Sequence, residues 1–187
     1  MCYKENYGAF TGELSAPMLV DSGIKWTLTG HSERRVGFGG VGESNEIVAV
    51  KTKNGIKAGM SVVFCCGEML QDRENGTTMN VVIDQLKPLV AALAVGDWNK
   101  LVIAYEPVWA IGTGKVATPE QAEETHLNIR NWISQNVSAD VATKVRIIYG
   151  GSVKGSNAKQ LMACPNIDGF LVGGASLLPE FVDIIKA

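Results

Sequence analysis

The stretch KLVIAYEPVWAIGTGK, residues 100–115, opens on an unbroken apolar run, Leu101 to Tyr105, and closes that run with a carboxylate, Glu106, and a proline, Pro107. A run with no polar alternation reads as a strand covered on both faces, the habit of a parallel sheet with helices packed outside it. Four further runs have the same character: WTLTG (26–30), SVVFCCG (61–67), RIIYGG (146–151) and GFLVGG (169–174). Each is short, rich in β-branched or aromatic residues, and ends in glycine or a polar residue. Helical periods separate them, so an α/β chain of about five parallel β/α units is expected.

The helices carry start signals. Thr118-Pro119-Glu120-Gln121 sets a capping hydroxyl before a proline at the first helical position, with Gln121 completing a capping box. That helix is expected to run to about Asn136, burying Ala122, Ile129, Trp132 and Ile133 and turning Glu123, Glu124 and Arg130 to water. His126, with no partner motif beside it, reads as a surface side chain. The 79–95 segment is helical by period, with Pro88 expected to kink or restart it. Ser15, Ser44 and Ser156 read as further N-caps.

Composition bounds the rest. At 187 residues, 46% hydrophobic and 19% charged, the chain is expected to form a single domain over 1–187. A net charge of -2 with no block of like charge gives no footprint for nucleic acid or an anionic membrane. The start MCYKENYGAF has neither a basic nor an apolar leader, and no apolar run is of spanning length, so a cytoplasmic location is expected. Cys2, Cys65, Cys66 and Cys164 lack the spacing of a zinc site and read as reduced thiols without chemistry. Neither a metal nor a cofactor is expected.

In parallel β/α barrels the loops leaving the C-terminal strand ends build the active site, and the unusual clusters here fall on such ends. Pro107 restricts Glu106 to extended backbone, so the carboxylate's direction is set locally. Such an acid suits proton abstraction, or an ion pair with a cation. The loop after it has a stiff entry, Pro107-Val108-Trp109, and a permissive tip, Ala110-Ile111-Gly112-Thr113-Gly114; it reads as a lid whose closure excludes water. In GHSERR (30–35), His31 stands where a strand ends and a helix begins, a position that disfavours its protonated form; a structural histidine is the alternative. Ser32 to Arg35 read as a solvated helix start. Two glycine pairs, YGGSV (149–153) and VGGAS (172–176), present backbone amides and the Ser152 hydroxyl suited to a phosphate.

Together YGAFTGE, GHSERR, AYEPVWAIGTGK, RIIYGGSV and DGFLVGGASL, in that order over nearly the whole chain, resemble the triosephosphate isomerase family. The resemblance implies an incomplete TIM barrel corresponding to strands 4 to 8, lacking the first three β/α units, and interconversion of dihydroxyacetone phosphate and glyceraldehyde 3-phosphate through an enediol without a cofactor. It implies Glu106 as base, His31 as neutral electrophile and Glu33 as a third catalytic residue. Gly112, Ser152, Gly173 and Gly174 would hold the phosphate, Pro107, Trp109 and Ile111 would belong to the lid, and Tyr149 would latch it near Ala117. No residue matches the family's first-strand asparagine and lysine, so impaired turnover is expected. Open barrel edges imply a homo-oligomer, a dimer or larger. The other reading is a self-associating, inactive fragment that at most binds small phosphates. The glycine-rich stretch 36–42 is longer than the family's segment and is expected to be mobile or rearranged.

Overall fold

In a computed structural model the described residues are 1–5, 7–111 and 116–187. Four of the five apolar runs are strands: β1 (Trp26–Thr29), β2 (Ser61–Cys66), β3 (Leu101–Tyr105) and β4 (Arg146–Tyr149). They pair in parallel in the order β1-β2-β3-β4, with Thr29 opposite Phe64, Cys66 opposite Tyr105, and Tyr105 opposite Tyr149. The helices are α1 (Ala16–Asp21), α2 (Ser32–Val36), α3 (Asn45–Lys57), α4 (Leu70–Glu74), α5 (Thr78–Ala92), α6 (Pro119–Asn136), α7 (Ala139–Lys144), α8 (Gly155–Met162) and α9 (Phe181–Ile185).

The fifth run departs from expectation. It meets β4 through one isolated bridge, Tyr149 with Phe170. The neighbouring position explains why: the Asp168 carboxylate, not a strand carbonyl, accepts the Ile147 N–H at 2.7 Å. Downstream, the chain turns at once into a 3-10 helix, Gly174–Leu177.

Side-chain alternation divides the sheet into two faces. Val62, Phe64, Ile103, Tyr105, Ile147 and Tyr149 point outward into the hydrophobic core, where Val48 of α3, Leu86 and Leu89 of α5, and Ile129 and Ile133 of α6 meet them. Trp26 and Leu28 lie on the other, concave face and stay about half exposed, at 47% and 48%. Across that face the Arg146 guanidinium stands 5.9 Å from the Trp26 ring centre, although two strands intervene. A flat sheet would hold those backbones about 14 Å apart, so the contact marks a sheet curled like a barrel wall.

Local signals mostly hold. The Thr118 hydroxyl accepts the Gln121 N–H at 3.2 Å while the Gln121 carbonyl oxygen accepts the Thr118 N–H at 3.0 Å. Ser15 and Ser44 cap α1 and α3. Pro88 does not restart α5, which continues through it. A proline cannot donate to the carbonyl four residues back, and that carbonyl, of Asp84, instead accepts from the Asn45 carboxamide at 3.1 Å. Ser156 is not a cap: α8 starts at Gly155 with Lys154 as its N-cap, and the Asn157 side chain accepts the Lys154 N–H at 2.8 Å. The 36–42 stretch forms a surface turn, closed by Gly40 N–H on the Gly37 carbonyl and by Glu43 N–H on that of Arg34.

Three expectations on α6 are wrong. Glu123 is half-buried, its carboxylate accepting the Asn166 N–H and side-chain NH2 at 3.1 and 2.6 Å. Arg130 is not turned to water; it binds the carbonyls of Ala142 and Val145 and the Asp168 carboxylate at 2.6, 3.0 and 2.7 Å, tying α6 to the start of β4. His126 is fully buried between Tyr105 and Tyr149. Burial pulls its pKa down to about 4. Its Nδ1 lies 3.2 Å from the Asn166 carbonyl and so carries the proton of the neutral ring. A period-based stripe misses it because neutral imidazole buries like an aromatic once one N–H is satisfied.

The sign of the linkage follows. Unfolded, His126 protonates near 6.5; folded, near 4. The stability it allows is whole above pH 6.5 and is lost as pH falls between those values, on the order of 3 kcal/mol. Urea denaturation across this window should therefore show a fall in stability for the wild type that a His126→Gln variant lacks; parallel pH profiles would contradict the assignment.

Candidate active site

Glu106 follows the last residue of β3, and its N–H donates to the Cys66 carbonyl at 2.7 Å, extending the β2–β3 ladder past both strands. A Cβ at Gly67 would coincide with the Glu106 carbonyl oxygen, so only glycine lets these strand ends meet. Gln85 of α5 fixes that glycine: its side-chain oxygen accepts the Gly67 N–H at 2.8 Å and its NH2 donates to the Gly67 carbonyl at 3.0 Å. On the other side, a Cβ at Gly150 would stand 2.6 Å from the Glu106 Cγ. The Glu106 side chain is held between bare backbones and is 4% exposed.

His31 is the N-cap of α2. Its Nδ1 accepts the Glu33 N–H at 3.4 Å, which leaves the ring proton on Nε2, and Nε2 stands 3.3 Å from Glu106 Oε1. The carboxylate and the imidazole thus face each other directly. The hydrogen bond to Glu106 raises the His31 pKa, with burial opposing it. This runs against the expectation of a ring held neutral by a helix terminus. α2 has only five residues, and a carboxylate in contact outweighs the partial charge of so short a helix. Glu33 contributes its backbone; its carboxylate is 67% exposed and 3.8 Å from Nδ1. It does not line the cavity.

That cavity, of about 480 Å³, is walled by Glu106, His31, Ile111, Ser152, Gly173 and Gly174. Ser152 Oγ donates to the Ala110 carbonyl at 2.6 Å, joining the glycine-pair loop to the stem of the loop that follows Glu106. Among the described residues no backbone acceptor takes the N–H of Gly173 or Gly174. Gly112 lies outside the described residues. So do Thr113, Gly114 and Lys115.

The stem is a short 3-10 helix, Val108–Ala110, entered through Pro107. Trp109 Nε1 donates to Glu68 Oε1 at 2.9 Å. The Tyr149 hydroxyl is buried without a hydrogen-bond partner among the described residues. Burial pushes it up to about 12, and the Ala117 backbone amide pulls the other way. Burial and then the Glu106 carboxylate push the Cys65 thiol well up, which keeps it inert.

Sequence reading missed three residues. Glu68, fully buried, accepts from the Tyr105 hydroxyl at 3.0 Å as well as from Trp109. It stands two residues past β2, the kind of strand-end carboxylate that singled out Glu106, and that signal could have found it. Arg35, assigned to a solvated face, donates to the carbonyls of Gly30 and Cys65 at 2.6 and 3.0 Å, bracing the ends of β1 and β2. Gln85 has no sequence signal, since it binds backbone. Among the described residues no cluster of His, Cys, Asp and Glu could hold a metal ion, and no helix is long and apolar enough to cross a membrane.

The contact between Glu106 and His31 has a spectroscopic consequence. The chain has two histidines, so their imidazole NMR titrations separate: His31 should titrate above 6.5 and His126 near 4. In Glu106→Gln the largest cause raising His31 is gone while burial remains, so its midpoint should drop below 6.5. An unmoved His31 midpoint would show that the two side chains do not interact in solution.

Comparison with known proteins places the chain. A family model described as triosephosphate isomerase matches residues 1–187. The cytosolic triosephosphate isomerase of Oryza sativa subsp. japonica is 55% identical to it over 186 residues, an alignment covering 100% of this chain and 72% of that relative.

Proposed function

The chain belongs to the triosephosphate isomerase family, and from that membership we propose that it interconverts dihydroxyacetone phosphate and glyceraldehyde 3-phosphate at the Glu106–His31 cavity. The observation that carries the assignment of residues is the 3.3 Å approach of His31 Nε2 to Glu106 Oε1 on one wall of a cavity that also exposes Ser152, Gly173 and Gly174. In this reading the triose enters between the two side chains. Glu106 takes the proton from C1 of the ketone, and the electron pair left on C1 forms the enediol double bond as the carbonyl oxygen is protonated. Glu106 then returns the proton to C2 as the C1 hydroxyl gives up its proton to His31 Nε2, giving the aldehyde. His31 donates its Nε2 hydrogen bond to the substrate oxygens. With Nδ1 occupied by the Glu33 N–H, the ring hands over and recovers a proton at one atom only. Ser152 and the amides of Gly173 and Gly174 take the phosphate. Pro107, Trp109 and Ile111 belong to the lid, and Tyr149 with Ala117 anchors its far end. Glu33 orients His31 through its backbone.

The curled sheet is read as about five β/α units of a barrel. A core cluster that runs through β2, β3, β4, α3, α5, α6 and α8 supports one domain over 1–187. The cytosolic relative supports a cytoplasmic setting.

A coupled isomerase assay tests the chemistry. Positioned general bases contribute about 10² to 10⁴ in rate, so Glu106→Gln should lose turnover by that order while Glu106→Asp loses less. Wild-type binding of dihydroxyacetone phosphate with no turnover would overturn the proposal.

Self-association belongs to the same reading. β1 is an edge strand with Trp26 and Leu28 half exposed beside it, and Leu177, Leu178 and Ile185 are open to solvent. Burying a large apolar side chain is worth about 1.5–3 kcal/mol, enough for several together to favour a homo-oligomer that covers this face. Sedimentation equilibrium at micromolar concentration should give a dimer or larger species; a compact monomer would refute it.

A further inference from the structure

The phosphate end of the cavity is short of positive charge. Its amides and the Ser152 hydroxyl are neutral, and two carboxylates, Glu106 and Glu180, line the same space. A phosphate ester brings about -1.5 to -2 charges near neutral pH. Among the described lining residues one lysine or arginine is present, Lys154. Among the described residues no carboxylate lies within ion-pair distance of its ammonium. Glu180, a carboxylate of the same lining, accepts the Gly155 N–H at 3.0 Å.

The backbone under Lys154 is fixed. The Asn157 carboxamide accepts the Lys154 N–H at 2.8 Å and donates to the Ser152 carbonyl at 2.9 Å, so one side chain holds both residues in a constant relation. Between them Val153 is buried in the core. Lys154 is exposed at the cavity lining, and a flexible four-carbon stem on such a base has the reach to bring its charge to a ligand there.

We propose that Lys154 is a further substrate-binding residue, supplying the positive charge that holds the phosphate of the triose at Ser152, Gly173 and Gly174. The assignment rests on the isomerase reading above for the identity of the substrate. It makes Lys154 selective: it acts on phosphorylated ligands and not on the triose part, and it acts through charge, so its effect falls with added salt.

The test compares Lys154→Gln and Lys154→Arg with the wild type, using dihydroxyacetone phosphate as substrate and inorganic phosphate as competing ligand. The glutamine variant should raise KM for dihydroxyacetone phosphate and Ki for inorganic phosphate about fivefold, the scale of an exposed charge pair, with kcat moving far less. The arginine variant should restore both, and the rise of KM with salt should flatten in the glutamine variant. Circular dichroism checks that the variants fold. If the wild type turns over and the glutamine variant keeps KM and Ki unchanged, the Lys154 assignment falls alone. If the wild type neither turns over nor binds inorganic phosphate, both fall. Turnover lacking but phosphate binding weakened in the glutamine variant would sink the isomerase reading and leave Lys154 as an anion contact.

Discussion

The site depends on one close approach: the end of β2 and the end of β3 run against each other at Gly67 and Glu106 with no room for a side chain between them. Three hydrogen bonds set that approach, from the Glu106 N–H to the Cys66 carbonyl and from the Gln85 side chain to both polar atoms of Gly67. A carboxylate placed by its own rotamer alone would wander over several ångströms. Here the backbone is fixed first, and Gly150 on the far side leaves the side chain one corridor. Such placement by surrounding backbone is what preorganisation requires of a catalytic group.

The same sheet end holds two glutamates with opposite fates. Glu68 faces outward into the core, where the Tyr105 hydroxyl and the Trp109 indole satisfy it. Glu106 faces the cavity, where the imidazole of His31 meets it. Alternation of side chains past the ends of β2 and β3 thus sends one carboxylate outward to Trp109 and the other inward to the cavity. Glu68 thereby ties the stem of the loop that follows Glu106 to the strand beside it.

Much of this was legible in the sequence because it is local. The capping box at Thr118, the strand identity of four apolar runs and the strand-end positions of Glu106 and His31 each depend on a few adjacent residues. What escaped was non-local. His126 looked like a surface residue because its cover comes from Tyr105 and Tyr149, far along the chain. Arg35 and Arg130 looked solvated because their acceptors are backbone carbonyls, which leave no trace in residue type. GFLVGG had the composition of a strand, but the Asp168 carboxylate occupies the ladder position that would have extended it. The sign of the His31 shift was misread for the same reason: the helix terminus is written in the sequence, whereas the 3.3 Å contact with Glu106 is made only by the fold.

The concave face links site and assembly. Leu28 lines the active cavity and is also one of the half-exposed side chains beside the open edge of β1. Anything that covers this face therefore also closes one wall of the substrate space, lowering its dielectric and strengthening each charge interaction within it. The contact between His31 and Glu106 would gain from that exclusion of water, as would the attraction of a cation for a bound phosphate. Leu28 and Leu178 thus belong both to the cavity wall and to the exposed apolar surface.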